Sequence, residues 1–222
     1  MPDLPRFLLP GAPAGFSIGA TLETLPWHLL PALPLVLAED GGVPVQPTEL
    51  RLAASAERLW VRFDCRDDEP WSTFTQRDEP LWQEEVVEVF LAAGERVPRR
   101  YVELEINPGG ALFDAWVDNP TGDRARMTVD TGWDCPGLAW EAGEVRDGWW
   151  AALSIPWRSV LGGPTVEVPR LWRANFYRID RPSGAPPEHS AWSPTLADPA
   201  DFHRPGRFGV LELAVHPLPP TY

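Results

Sequence analysis

Apolar and polar residues alternate with a period of two along several segments of this chain. From Arg58 to Cys65 the sequence reads RLWVRFDC, in which every second residue is large and apolar. The same alternation recurs in YVELEIN, which starts at Tyr101, and in ALFDAWVD, which starts at Ala111. Because successive side chains of a strand point to opposite faces of its sheet, this pattern predicts β-strands with one buried face.

Other segments complete the set of predicted strands. VVEVFLAA, WWAALSIP and LWRANFYRID carry large residues on both faces, which predicts more central strands, and RFGVLEL supplies a closing strand. Turn residues at Asn107–Gly110 and at Arg146–Gly148 each join two such segments, which predicts two hairpins. Helix signals are sparse, and PWRSVLGG, from Pro156 to Gly163, predicts one or two short turns.

Antiparallel strands joined by hairpins predict an all-β fold, a sandwich of two antiparallel sheets of the immunoglobulin or jelly-roll type. The 222 residues, 44% of them hydrophobic, can form one large domain, so we expect a single domain over residues 1–222. We place its core at about residues 17–213. The first ~45 residues predict an irregular flap with no more than one strand, in which Trp27 closes the edge of the core.

The charge balance limits the classes of partner. The formal net charge is −13, and all 19 basic residues are arginine, so no lysine-rich stripe is present to neutralise a phosphate backbone. We therefore expect no nucleic acid partner. No apolar run approaches the length that crosses a bilayer, so we expect no membrane partner either.

The start of the chain lacks a basic segment followed by a sustained apolar run. As written it predicts a cytoplasmic protein, and an extracellular or periplasmic one if a leader has been removed. Cys65 and Cys135 could pair or remain reduced; we favour two buried, reduced thiols, and neither has the spacing of a metal site.

Twelve tryptophans are several times the ordinary usage, and a tryptophan ring is both a core anchor and a flat stacking surface. The predicted outward strand faces combine aromatic, acidic, arginine and amide side chains: Trp60, Arg62, Tyr101, Glu103, Glu105, Asn107, Asp114 and Trp116. Such a mixture suits a sugar, whose C–H face stacks on a ring while its hydroxyls take planar hydrogen bonds. For any one of these residues we favour the simpler interpretation, a solvated sheet face with cross-strand charge pairs.

Seven motifs in order carry a family resemblance: ERLWVRFDCRDDEP, PLWQEEVVEVFLAAG, YVELEINPGGALFDAWVD, GWWAALSIPWRSV, WRANFYRIDRP, HSAWSP and FHRPGRFGVLEL. Over about residues 17–213 the chain resembles the family 9 carbohydrate-binding modules and their DOMON-related relatives. The resemblance implies a sandwich that binds the end of a glucan or xylan chain between two aromatic rings, often with structural calcium. It implies that Trp82 is the first ring and that Glu88 contacts the ligand.

Two positions depart from the pattern of the family. Where sugar-binding members present a second tryptophan, Phe202 or His203 stands here, and Glu105 stands where members have an arginine. Near these, Arg178, Asp180 and Arg181 end a predicted strand. We interpret Asp180 as half of an ion pair that fixes a loop and Arg181 as a ligand contact.

We therefore predict a non-catalytic carbohydrate-binding domain. Its ligand-binding residues are predicted to be Trp82, Glu88, Arg181, Trp192, Phe202 and His203, with Trp71, Glu105 and Arg178 as secondary candidates. We expect no cofactor except structural calcium, for which the candidate ligands are Asp64, Asp67, Asp68, Asp118 and Asp123.

Three alternatives remain open from the residues. The first is an accessory domain that has lost sugar binding and contacts a protein through exposed aromatic side chains. The second is a glycoside hydrolase, which needs two nearby carboxylates; Glu88, Glu103, Glu105 and Asp114 are the candidates. The third is a haem-binding protein, which would use Met127 with a histidine. We rank the second and third alternatives below the first.

Overall fold

The computed structural model describes residues 3–162 and 167–214 and consists of two β-sheets packed face to face. The strands in chain order are β1 Arg6–Leu9, β2 Leu33–Pro34, β3 Val36–Leu37, β4 Thr48–Ala54, β5 Arg58–Arg66, β6 Val86–Ala93, β7 Arg100–Ile106, β8 Leu112–Asp118, β9 Thr128–Asp130, β10 Ala139–Val145, β11 Gly148–Pro156, β12 Leu171–Asp180, β13 Glu188–Ala191 and β14 Gly209–Leu213.

The larger sheet has nine strands and the smaller has five. The larger runs in the order β1-β14-β12-β6-β7-β8-β9, with β13 paired to β12 and β3 paired to β13. The smaller runs in the order β10-β11-β5-β4-β2. Strands β1 and β14 are parallel, and the other pairs in both sheets are antiparallel. The predicted all-β sandwich is confirmed.

The local predictions largely hold. Both predicted hairpins are present, since β7 pairs with β8 across Asn107–Gly110 and β10 pairs with β11. The predicted helical turn is α1, Trp157–Val160, and Gly163 at its predicted exit lies outside the described residues. Short 3-10 turns occupy Leu22–Thr24, Trp27–Leu29, Leu81–Gln83, Arg124–Arg126 and Pro205–Arg207. No helix in the described part of the chain is long and apolar enough to cross a bilayer.

The N-terminal segment is more ordered than the sequence predicts. Strand β1 pairs with β14, and Leu9 is fully buried in the main core, so the core begins well before residue 17. Strands β2 and β3 join opposite sheets. The sequence analysis missed these strands, and also β4, β9 and β13. Most are only two to four residues long, too short for alternation to show.

The main apolar core lies between the two sheets. The rings of Trp157 and Trp172 meet there with centroids 4.6 Å apart. Cys65 and Cys135 are buried in this core as free thiols, as predicted, and burial raises the pKa of each to about 12. Thiols held in this state are poor nucleophiles.

A separate apolar cluster covers the outer face of the smaller sheet. Trp27 packs there with Trp60 and with the edge of Phe16, whose ring centroid lies 4.9 Å from that of Trp27. The N-terminal segment is therefore the cover of this face. Its Trp27 does close an apolar cluster, although one outside the sandwich interior.

The face of the larger sheet that points away from the interior is also covered. Phe90, Tyr101 and Tyr177 on neighbouring strands pack there under Phe202 and Phe208. Large residues on both faces of β6 and β12 made these strands central in the prediction, and the structure confirms it. The covered outer face is the one that carries the candidate site.

The predicted set of outward polar residues does not form one solvated face. Tyr101, Glu103 and Glu105 are buried beneath the cover of the larger sheet. Trp60 and Arg62 belong to the far face of the smaller sheet, Asn107 binds the carbonyl of Phe74, and Trp116 packs against the main core on the same side as Asp114. A period of two assigns residues to faces, but it does not reveal whether another segment covers a face.

One turn of the sandwich depends on a missing side chain. Gly148 has φ of +145°, and a Cβ atom on it would lie 2.0 Å from the carbonyl oxygen of Cys65. We expect Gly148→Ala to lower the free energy of unfolding by about 3 kcal/mol or more, because strand β5 must move. Urea unfolding measures this loss of stability.

Gly94→Ala is the matched control. Gly94 has φ of +90°, but no heavy atom lies within 4 Å of a Cβ added there, so backbone strain alone should cost about 1–2 kcal/mol. Equal losses in the two variants would contradict the steric argument.

Candidate functional site

A pocket of about 350 Å³ opens on the covered face of the larger sheet. Its aromatic lining comes from Trp82, Phe113 and Phe202, and its polar lining includes Glu88, Arg181 and His203. The volume lies at the lower end of the range of small-molecule sites. The pocket is therefore sized for a ligand of one or two rings.

Trp82 is the exposed aromatic side chain at this pocket. It lies in the short 3-10 turn Leu81–Gln83 just before β6, and 40% of its surface is accessible. Its ring meets Phe113 edge to face, with centroids 5.2 Å apart and planes at 77°. The edge contact holds the ring while leaving part of it free to contact a ligand.

Phe202 is the second aromatic lining residue and is almost fully buried. Its ring stacks on Tyr177 at a centroid distance of 4.1 Å, with the planes only 10° apart. The Tyr177 hydroxyl donates to the Phe202 carbonyl at 2.9 Å, so both the ring and the backbone of Phe202 are tied to β12. This residue presents a fixed surface and little free area.

Arg181 links the end of β12 to the turn that carries Trp82. Its Nη2 donates to the Trp82 carbonyl at 3.0 Å and its Nε to the Glu84 carbonyl at 3.2 Å. The Trp71 indole in turn donates to the Arg181 carbonyl at 2.8 Å. Arg181 therefore positions Trp82 in addition to lining the pocket.

Glu84 anchors the loop ahead of Trp82. Its carboxylate accepts hydrogen bonds from the backbone N–H groups of Thr73 and Phe74 and from the Thr73 hydroxyl. Burial alone would raise the pKa of Glu84, but these hydrogen bonds outweigh it and the pKa is lowered. The ionised form thus holds residues 73–84 together.

Three carboxylates form the floor of the pocket. Glu88 on β6 is the cross-strand partner of Glu105 on β7, and Glu103 lies two residues away on the same face. Oxygen atoms of all three lie within 4.8 Å of one another, and the residues are 2%, 1% and 5% exposed, respectively. Burial and mutual repulsion raise the pKa of Glu88 and Glu105 well above their usual range, and burial raises that of Glu103 to about 7.

His203 stands beside these carboxylates as a neutral imidazole. Its Nδ1 lies 2.9 Å from the Tyr101 hydroxyl, and its Nε2 lies 3.7 Å from Oε1 of Glu103. Burial, followed by the positive charge of Arg124, lowers the pKa of His203 to about 3. At neutral pH the ring is therefore a polar partner of Glu103 and carries no charge.

A second buried carboxylate group lies between the ends of the sheets. Arg178 on β12 is fully buried and donates to Asp67 at 2.7 Å and to Asp180 at 2.8 Å. It also donates to the Arg66 carbonyl and to Thr48. The predicted ion-pair role of Asp180 is confirmed. Glu85 completes this group, with an oxygen within 4.8 Å of both aspartates.

The structure brings five of the six predicted primary residues to one pocket: Trp82, Glu88, Arg181, Phe202 and His203. Trp192 is not among them. Its ring belongs to the main core, 5.8 Å from that of Phe176, and its edge lies 2.3 Å from where a Cβ on Gly209 would stand. Ser193 and Pro194, which follow Trp192, are residue types typical of loops, but the Trp192 ring turns inward over Gly209, which has no side chain.

The secondary candidates occupy three different places. Glu105 lies at the pocket floor beneath the lining residues, and Trp71 lines a shallow cleft next to the pocket together with Arg181. Arg178 points to the sandwich interior, where it serves as the buried ion-pair partner described above. It does not line the pocket, because alternation places its neighbours Tyr177 and Ile179 on that face.

The five calcium candidates do not form one cluster. Asp64 pairs with Arg51 and Arg62, Asp67 pairs with Arg178, and Asp118 pairs with Arg100. Asp68 is exposed, and Asp123 accepts from the Ala125 N–H at the start of a short turn. Calcium binding at these residues stays a prediction.

Sequence reasoning did not identify the pocket residues that come from irregular segments. Arg124 belongs to a 3-10 turn between β8 and β9, and His189 belongs to the short strand β13. Met127, considered for haem, lines the same pocket. Its Sδ accepts a hydrogen bond from the Tyr101 hydroxyl at 3.9 Å. No periodic signal marks these positions. The chain reversal after β8 brings Arg124 and Met127 over the sheet, and the connection after β12 brings His189 there.

Comparisons with known proteins agree with this architecture. The family model described as carbohydrate-binding family 9 matches residues 43–213. The chain is 25% identical over 206 residues to an Arthroderma benhamiae protein named "Extracellular protein", an alignment that covers 84% of this chain and 90% of the relative.

Solved structures show the same fold. A Bacteroides uniformis protein provisionally assigned to carbohydrate binding matches with a TM-score of 0.75 at 17% identity, covering 95% of this chain and all of that one. A family 9 module of Caldicellulosiruptor kristjanssonii in complex with cellotriose matches with a TM-score of 0.61 at 14% identity, covering 97% and 100%. A complex of such a module from the same organism with glucose gives a TM-score of 0.59 at 12% identity, covering 94% and 95%.

The group around Arg178 generates a prediction for pH. Burial raises the pKa of Glu85 from 4.5 to about 8, and the neighbouring Asp67 adds to the shift. The folded state therefore keeps a proton that the unfolded state has lost, so this contribution to stability is complete below about pH 4.5 and disappears as the pH rises through 8. We expect Glu85→Gln to unfold at higher urea concentration than the parent at pH 9, and the advantage should shrink towards pH 4.

The control for this prediction is Glu57→Gln, which changes an exposed glutamate on the turn before β5. Its urea midpoint should follow the parent across the same pH range. A constant difference between Glu85→Gln and the parent at every pH would show that the Glu85 carboxyl does not titrate in this window.

Proposed function

This chain belongs to carbohydrate-binding family 9, and we propose that its pocket binds the end of a glucan- or xylan-type oligosaccharide without cleaving it. The observation that carries the proposal is the pocket itself, in which an exposed tryptophan and buried polar groups line one small cavity. A sugar presents C–H faces that stack on a ring and hydroxyls that need planar partners, and this lining offers both.

The roles of the lining residues follow from their contacts. Trp82 is the stacking platform, because its ring is held at one edge and partly free. Phe202 limits the pocket as a fixed apolar wall, and Glu88 and Arg181 are hydroxyl partners. Since a single partly free ring supplies most of the stacking, we expect affinities in the micromolar to millimolar range.

The relatives support the substrate class. The structures of Caldicellulosiruptor kristjanssonii modules hold cellotriose and glucose, respectively. The volume of about 350 Å³ suits one or two sugar rings better than a porphyrin, which disfavours the haem alternative. The name of the Arthroderma benhamiae relative supports an extracellular site of action.

The geometry favours sugar binding over the accessory-domain alternative. Docking to a protein would use a flat patch of exposed aromatic side chains. Trp82 and Trp71 are 40% and 39% exposed, but Phe202 and Trp192 are only 7% and 9% exposed. Phe202 thus lines the cavity and Trp192 packs in the core, so neither contributes much to a flat surface.

Trp82→Ala tests the site. We expect it to weaken binding of cellobiose about tenfold, since one stacked ring contributes about 1–2 kcal/mol. Isothermal titration calorimetry measures the affinity. Val145→Ala is the control, because Val145 is an exposed apolar residue on β10 of the smaller sheet and does not line the pocket; the affinity of this variant should stay within about threefold of the parent. Unchanged affinity in Trp82→Ala would remove Trp82 from the site.

Binding without turnover is a separate prediction. Glu88 and Glu103 project from adjacent strands on one face and share their floor with Glu105, whereas hydrolysis needs two carboxylates that flank the scissile bond. We expect no glucose to be released from cellotetraose during prolonged incubation with the protein. Chromatography of the incubation mixture measures any product. Release that disappears in Glu88→Gln would establish a hydrolase instead.

A further inference from the structure

The pocket floor brings oxygen atoms of three buried carboxyl groups within 4.8 Å of one another. In residues 3–162 and 167–214, no arginine forms an ion pair with Glu88, Glu103 or Glu105. Arg124 attracts Glu88 and Glu103 only through longer-range electrostatics. Its Nη1 forms an ion pair with Oδ1 of Asp201 at 3.5 Å. Three buried carboxylates this close cannot all ionise without a counter-charge.

Glu105 adds an independent observation. It is 1% exposed, and within the described chain neither of its carboxylate oxygens has a hydrogen-bond partner. One of these oxygens lies within 4.8 Å of a carboxylate oxygen of Glu88 and of Glu103. A buried oxygen without a partner costs folding free energy. The oxygens of Glu85 also lack a partner, but Glu85 has the guanidinium of Arg178 in its group, whereas the group of Glu105 contains no arginine in the described chain.

The other buried carboxylate group shows what is missing. Asp67, Glu85 and Asp180 have the same mutual spacing, but the guanidinium of Arg178 lies among them and donates to both aspartates. The floor of the pocket has the matching acidic residues without such a side chain. A small cation at the floor would complete the same arrangement.

We propose that Glu88, Glu103 and Glu105 bind a calcium ion at the floor of the pocket. Calcium takes six to eight oxygen ligands, and three carboxylates supply up to six. Carboxylate oxygen is also the donor type that selects calcium over softer metals. These residues are distinct from the scattered aspartates that the sequence suggested as calcium ligands.

The location gives the ion a route and a role. Glu88 and Glu103 line the pocket, so the ion enters from solvent through the same opening as a ligand, and the net charge of −13 attracts it. Because the ion lies at the floor, its remaining coordination positions face the pocket and take sugar hydroxyls. This second role rests on the proposed sugar binding, whereas the metal site does not.

Calorimetric titration of chelator-treated protein with calcium chloride tests the site. We expect one calcium per chain in the parent, at least about tenfold weaker binding in Glu105→Gln, and parent-like binding in Glu85→Gln. Each variant replaces one carboxyl group of a buried trio by an amide, and only the trio at the pocket floor lacks an arginine in the described chain. Glu88→Gln is a second variant at the floor, and far-ultraviolet circular dichroism confirms that each variant is folded.

The outcomes separate the metal site from the sugar site. No calcium binding by the parent, or loss in Glu85→Gln but not in Glu105→Gln, overturns the proposal. Cellobiose titrated with and without calcium then tests the second role: at least about fivefold weaker binding after chelation supports it, and equal binding overturns it. Calcium binding without any cellobiose binding would leave the metal site standing and refute the proposed function.

Discussion

The buried guanidinium of Arg178 is the interaction on which the rest of the architecture depends. From β12 in the larger sheet it reaches the Arg66 carbonyl and Thr48 on the smaller sheet, and it binds Asp67 and Asp180. Removing one partner of such a pair leaves an uncompensated charge in the interior, typically at a cost of about 3–5 kcal/mol. This link fixes the end of β12, and Arg181 follows immediately. Through Arg181 the same link determines where Trp82 lies.

A sheet with both faces covered creates the pocket. The inner face of β6 and β7 packs against the smaller sheet, so its residues are Val, Leu and Ile. The outer face lies under the segments around Arg124 and Phe202, which leave a cavity over Glu88 and Glu103. Carboxylates on a covered face lose their water, and this loss raises their pKa. The chemistry of the site thus follows from the covering of the face.

The sequence predicted the parts of the site that strand alternation can locate. It made β6 a central strand, and the family resemblance added Trp82, Glu88, Phe202 and His203 as site residues; all four line the pocket. The prediction failed for residues that depend on irregular segments. Glu103 is buried and Arg124 reaches the pocket because the chain reverses over the sheet, and these reversals leave no periodic pattern in the sequence. Trp192 is the opposite case. It was predicted to bind ligand, but its ring packs into the main core.

The state of charge at the floor controls what the pocket can recognise. An ionised carboxylate only accepts hydrogen bonds, whereas a protonated one also donates, and a metal-bound one accepts only through the lone pairs that its ion leaves free. Glu103 has a pKa of about 7, so at neutral pH its carboxyl is ionised in part of the molecules and protonated in the rest. The neutral ring of His203 lies beside it and does not favour either form by charge. Trp82 provides stacking that any pyranose can use. Discrimination among sugars must therefore come from the floor, where the positions of the three carboxylates are fixed and their counter-charge decides which hydroxyls they accept.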